Sequence, residues 1–89
     1  MATNYQFIGS DPVGLHAKPL TMLVNEASRF DSDIKLIYEA KSASLKSIMG
    51  VMALGIPTKA KLEIVAEGQD EVEAVDHLKE ELVKLHITD

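Results

Sequence analysis

Apolar side chains recur at every second position in some stretches of this chain and at every third or fourth in others, and the two rhythms alternate along its 89 residues. Period two puts successive side chains on opposite faces of a strand, whereas a period near 3.6 gathers them on one side of a helix. Tyr5, Phe7 and Gly9 alternate with Gln6, Ile8 and Ser10, which predicts a first strand ending at the turn residues Asp11, Pro12 and Gly14. From Ala17 the period changes. Leu20, Leu23, Val24 and Ala27 fall on one helical face with Phe30 just beyond, so a helix is expected to end near Arg29.

A turn at Asp31, Ser32 and Asp33 then leads into Ile34, Leu36 and Tyr38, which share one face of a second strand, with a short partner strand over residues 40–43. Ser47 is placed to open a short helix that Gly55 and Pro57 stop. Ala60, Leu62, Ile64 and Ala66 mark a last strand that ends at Gly68. The final helix carries the strongest signals: Asp70 as cap, Glu73 three residues later as a capping-box partner, and a stripe of Val72, Val75, Leu78, Leu82 and Leu85. Glu71, Asp76, Lys79, Glu80 and Lys84 are left for water.

The predicted order is therefore βαββαβα. Short strands with only period-two patterning favour a largely antiparallel sheet, with the three helices packed against one face in an open-faced two-layer α/β (α+β) sandwich. No linker or repeat divides residues 1–89, so one domain is expected. A chain of this size buries roughly 60–65% of its unfolded surface, enough for one modest core.

The absence of cysteine rules out a disulfide framework or thiolate cage. A net charge of −5 without a cluster of lysine or arginine argues against direct nucleic-acid binding. No apolar run is long enough for membrane insertion, and the first residues do not read as a secretion signal, so a cytoplasmic location is expected.

His16, in the string Gly14-Leu15-His16-Ala17-Lys18-Pro19, follows a glycine-containing turn and immediately precedes a helical stripe. The first backbone N–H groups of a helix have no acceptor within it, and together with the helix dipole they favour an anion. A neutral imidazole is a nucleophile, so His16 could accept a phosphoryl group that the helix start steadies, with charge from Lys18, an N–H from Ala17 and rigidity from Pro19. On these local features alone, a plain helix-capping role for His16 is the stronger reading. No other metal ligand stands at suitable spacing around it, and neither a metal nor a cofactor is expected. His77 and His86 read as solvated or helix-terminal.

The second string, Leu45-Lys46-Ser47-Ile48-Met49-Gly50-Val51-Met52-Ala53-Leu54-Gly55, completes a resemblance. In both strings, in their order and over essentially its whole length, the chain resembles the histidine-containing phosphocarrier family, HPr, of the bacterial phosphoenolpyruvate-dependent sugar phosphotransferase system. The resemblance implies that His16 is phosphorylated on Nδ1 by enzyme I and passes the group to enzyme IIA proteins. It implies a stoichiometric carrier rather than an enzyme. Lys18 stands where the family usually has arginine, and Leu20 where a small residue is usual. Lysine keeps the charge but lacks the planar fork, so transfer rate or phosphohistidine lifetime is expected to differ.

Ser47 is by itself a sound N-cap. The resemblance adds that it matches a serine modified by an HPr kinase/phosphorylase, which would slow phosphorylation of His16 and create a surface for a catabolite-control regulator. Ile48, Met49, Val51, Met52, Leu54 and Ile56 exceed what one short helix buries on one side. Leu15, Leu20, Ile48, Met49, Val51 and Met52 are thus expected to form a partner-docking surface. A small phosphatase-like enzyme using His16 transiently, and a regulatory paralogue carrying little sugar-linked flux, are the competing readings.

Overall fold

A computed structural model describes residues 2–9, 17–55 and 59–85, with the backbone alone for residues 17–20. Strand β1 (Thr3–Ile8) precedes helix α1 (Ala17–Ala27), and strands β2 (Asp33–Tyr38) and β3 (Lys41–Ser44) form a hairpin. Helix α2 (Ile48–Met52), strand β4 (Lys61–Glu67) and helix α3 (Glu71–Lys84) complete the order βαββαβα. The four strands form one antiparallel sheet in the order β1-β4-β2-β3.

Register turns the period-two pattern into a packed face. Tyr5 and Leu36 flank Ile64 from opposite sides, Phe7 pairs with Leu62, and Ile34 pairs with Ala66. Ile34, Leu36, Ile64 and Ala66 are almost wholly buried, under Leu23 and Ala27 of α1, Val51 of α2, and Ala74, Leu78 and Leu82 of α3. Each such leucine or isoleucine contributes about 1.5–3 kcal/mol by leaving water. Helix α3 lies across β1 and β4, and α1 packs against both α2 and α3. The other sheet face carries mixed residues, including exposed Ile8 and an Asn4 Nδ2–H···Oε2 Glu63 bond of 2.7 Å.

Several boundaries and partners depart from expectation. Helix α1 ends at Ala27 and unwinds through a turn, with Phe30 N donating to Ala27 O at 3.2 Å. The Lys46 ammonium, from beyond β3, donates to Phe30 O at 2.7 Å and places a cation at that helix end. The short partner strand runs over Lys41–Ser44. Asp33 belongs to β2 rather than to the turn before it.

Asp70 precedes α3 but makes no side-chain cap bond to that helix. Its carboxylate instead accepts Ser32 Oγ–H and the backbone N–H groups of Asp31 and Ser32, the latter two at 2.9 Å. These donors, Ser32 Oγ first, hold the Asp70 carboxyl below the usual carboxylate range. The clamp is accordingly complete at neutral pH and weakens as acid protonates that carboxyl. Glu71 rather than Glu73 reaches back, accepting Gly68 N–H at 3.3 Å and the Thr3 hydroxyl at 2.5 Å.

Val72 is exposed, and Ala74 takes its expected place in the core. At ~100° per residue, Glu71 continues the line of Leu78 and Leu82 into the first turn, and Val72 lies a quarter-turn away from it.

Candidate functional site

Helix α1 begins at Ala17, so its first backbone N–H belongs to the residue after His16 in the chain. The first turn, Ala17-Lys18-Pro19-Leu20, holds no acidic side chain and one lysine. Pro19 contributes no N–H, which leaves Ala17, Lys18 and Leu20 as donors of the opening turn. Gly14, Leu15, His16, Ile56, Pro57 and His86 lie outside the described residues, as do the side chains of Ala17, Lys18, Pro19 and Leu20.

Helix α2 lies beside α1, and its entry is built locally. Ser47 has extended backbone angles (φ −121°, ψ 110°), and its Oγ accepts the Gly50 N–H at 3.2 Å, the expected N-cap bond. The interior Gly50 has a packing reason. A Cβ there would lie 3.3 Å from Ser47 Oγ and 3.6 Å from Ala43 Cβ, so the glycine lets this short helix sit close to β3. Gly55, with φ +61°, lies in the left-handed region two residues beyond the Ala53 C-cap, and its N–H donates to Met52 O at 3.2 Å. The Ser47 side chain faces solvent.

The expected docking surface divides. Met49 is 80% exposed and Met52 50%, while Ile48 is half-buried against the core. Val51 is 1% exposed and belongs to the core, which corrects its assignment to the partner surface. Leu54 is buried as well. With five residues, α2 has only one side that reaches the sheet, and Val51 occupies it.

Met22 was not among the expected docking residues, yet it stands 48% exposed on α1. Its signal lay in the pattern: an apolar residue about 100° from the Leu23 position and off the buried stripe. Three exposed methionines therefore stand on two adjoining helices, α1 and α2. Thioether side chains adapt to differently shaped partners.

His77, expected in solvent, is half-buried on α3. Its Nε2 lies 2.5 Å from Glu26 Oε1 of α1, and its ring lies 5.5 Å from that of Phe30. Glu81 adds a carboxylate to this group. Among the described residues, no helix is long and apolar enough to cross a membrane.

Comparison with known proteins bears on the remainder. The family model described as "PTS HPr component phosphorylation site" matches residues 6–84. The structure of the histidine-containing phosphocarrier protein of a Mycoplasma is 38% identical, with a TM-score of 0.95 over 98% of this chain and 99% of that one. Phosphocarrier protein HPr from Bacillus anthracis str. Ames is 36% identical, with a TM-score of 0.82 over 90% and 95%. Crh, the catabolite-repression protein of Bacillus subtilis, solved as a domain-swapped dimer, is 37% identical, with a TM-score of 0.73 over 84% and 86%.

Proposed function

The chain belongs to the HPr family of phosphotransferase-system phosphocarriers, and on that premise we propose that His16 is the group that takes up and hands on the phosphoryl group. One observation carries this reading: residue 16 immediately precedes the first residue of α1 in a chain that matches the family from residue 6 to residue 84. In the first transfer the imidazole Nδ1 forms a bond to phosphorus as the bond between phosphorus and enzyme I breaks. In the second, that N–P bond breaks as an enzyme IIA protein takes the group. The N–H groups of Ala17 and Lys18 and the positive end of α1 offset the phosphoryl charge. Pro19 limits the backbone freedom of that turn.

The test is intact-mass and fragmentation analysis after incubation with phosphoenolpyruvate and enzyme I. One acid-labile phosphoryl group on His16, lost again when an enzyme IIA is added, is the expected result. A phosphoryl group located elsewhere, or none, overturns it. A second reading, a regulator rather than a carrier of sugar-linked flux, draws on the likeness to Crh. Phosphorylation at Ser47 by a serine kinase together with none at His16 is its signature.

Lys18 supplies a point charge to the phosphoryl oxygens where arginine would grip two of them. Lys18→Arg is therefore expected to change the rate of transfer from enzyme I or the lifetime of the phosphohistidine by a few-fold. A variant equal to the wild type in both measures assigns Lys18 no contact with the phosphoryl group.

Leu15, Leu20, Ile48, Met49 and Met52, joined by Met22, form the docking surface for enzyme I and enzyme IIA. Phosphate on Ser47 would place about −1.5 to −2 charge beside exposed Met49, at a helix start that tolerates it. The modification, by an HPr kinase/phosphorylase, thus acts on docking rather than on helix stability, and it offers a catabolite-control regulator a new anionic contact. Ser47→Asp is expected to slow phosphoryl uptake by His16 at least several-fold while leaving Tm within about 4 °C. Unchanged uptake in stopped-flow transfer from enzyme I removes the inhibitory role.

A further inference from the structure

The seam between α1 and α3 gathers an imidazole and two carboxylates that phosphoryl transfer does not use. His77 and Glu81 stand four residues apart on α3 and so project from one helix face. Glu26, 51 positions before His77, reaches the same point from the last turn of α1. One ligand atom from each of the three lies within 4.8 Å of the other two, and all three residues are half-buried.

We propose that Glu26, His77 and Glu81 bind a divalent transition-metal ion, with zinc as the best match. The imidazole excludes calcium and magnesium as preferred occupants, since both favour oxygen ligands and magnesium keeps its waters. Imidazole nitrogen and carboxylate oxygen both bind zinc, at about 2.0–2.2 Å from the ion, and three protein ligands leave a fourth position for water.

The local packing prepares these ligands. The Phe30 ring lies against His77 at 5.5 Å between centroids and restricts how the imidazole turns. Arg29 holds the same Glu26 oxygen at 3.1 Å. The His77 hydrogen bond, followed in effect by Arg29, keeps the Glu26 carboxyl below the usual range, so its oxygens are available as an anion. The Arg29 guanidinium pairs with that carboxylate, and zinc binding would displace or share it.

In the metal-free state a proton joins His77 Nε2 and Glu26 Oε1 at 2.5 Å. Zinc takes the place of that proton, which passes through water to Nδ1 or, from an imidazolium, to the buffer. Nε2 then gives its lone pair to the ion, the imidazole hydrogen sits on Nδ1, and the two atoms part to about 3.4 Å, the edge of a zinc tetrahedron. Rotation of two partly exposed side chains accommodates such a change.

The site is remote from the phosphoryl position. At ~1.5 Å per residue, Glu26 lies about 14 Å along α1 from Ala17. Zinc binding and phosphoryl uptake therefore fail independently, and loss of one says nothing against the other.

Calorimetric titration of the full chain with zinc chloride in a non-coordinating buffer tests the proposal. Heteronuclear NMR follows the imidazole signals alongside. One ion per chain is expected, with the shifts confined to His77 and to amides near Glu26 and Glu81. Glu81→Gln keeps the His77–Glu26 bond and His77→Gln removes it, and each should weaken binding at least about tenfold, since even outer-shell changes cost 10–100-fold. His86→Gln should leave binding unchanged. No saturation up to millimolar zinc overturns the site, as does binding that survives both Glu81→Gln and His77→Gln or that maps to His16 or His86.

Discussion

Substituting alanine for His16 is expected to remove phosphoryl uptake altogether. The effect is all-or-none because the reaction needs a nucleophile whose lone pair is free at neutral pH and whose phosphoryl adduct still gives the group up. A methyl group offers neither property, and no serine, lysine or carboxylate in Gly14-Leu15-His16-Ala17-Lys18-Pro19 other than Lys18 bears a nucleophilic atom at all. The lysine ammonium is protonated at neutral pH and does not replace it. Helix α1 and the exposed Met49 and Met52 are untouched by the change, so enzyme I should still dock.

Binding without transfer is thus the expected phenotype: a normal complex with enzyme I in titration, and no mass increase of one phosphoryl group. Circular dichroism of the variant confirms that the chain is folded in the same experiment. An acid-labile phosphoryl group on folded His16→Ala protein would move the acceptor to another side chain.

Gly68→Ala should cost about 2–6 kcal/mol of stability, adding backbone strain of about 1–3 kcal/mol to overpacking of similar size. Gly68 sits between β4 and α3 with φ +155°, a conformation that side chains rarely adopt. A Cβ built there would lie 2.7 Å from Ser32 Cα and 2.6 Å from Ser32 Oγ. Ser32 has little room to move. It is 2% exposed and bound through both its N–H and its hydroxyl to Asp70.

The added methyl group therefore pushes apart two turns that the Asp70 carboxylate holds together, the one entering β2 and the one entering α3. For a domain of this size each kcal/mol corresponds to about 4–8 °C, so Tm should fall by at least about 8 °C. Thermal unfolding followed by circular dichroism reads this directly. A fall of less than about 4 °C would mean that the two turns separate cheaply and that the clamp is not a source of stability.

Much of the fold was legible in period and punctuation. Phe7, Ile34, Leu36, Leu62, Ile64 and Ala66 lie on the buried sheet face that alternation assigns them, and the order βαββαβα follows from the switch between the two rhythms. The Ser47 cap was equally legible, because donor and acceptor are three residues apart and the bond forms within one turn. The phosphocarrier family was legible in two strings, and the match over residues 6–84 agrees with them.

What alternation and spacing determined is the part of the structure in which the controlling contacts lie within a turn or two of chain: which segments are strands, which are helices, and which residue opens α2. Tertiary structure alone decided the rest. Val51 is core and Met49 is surface because α2 meets the sheet on one side only, and both are apolar in sequence. Asp70 serves a turn 38 residues earlier rather than its own helix, and His77 meets Glu26 across 51 residues. A carboxylate takes whichever donors the packed chain brings to it, and periodicity describes one element at a time. It carries no record of which elements become neighbours when the apolar faces close on each other.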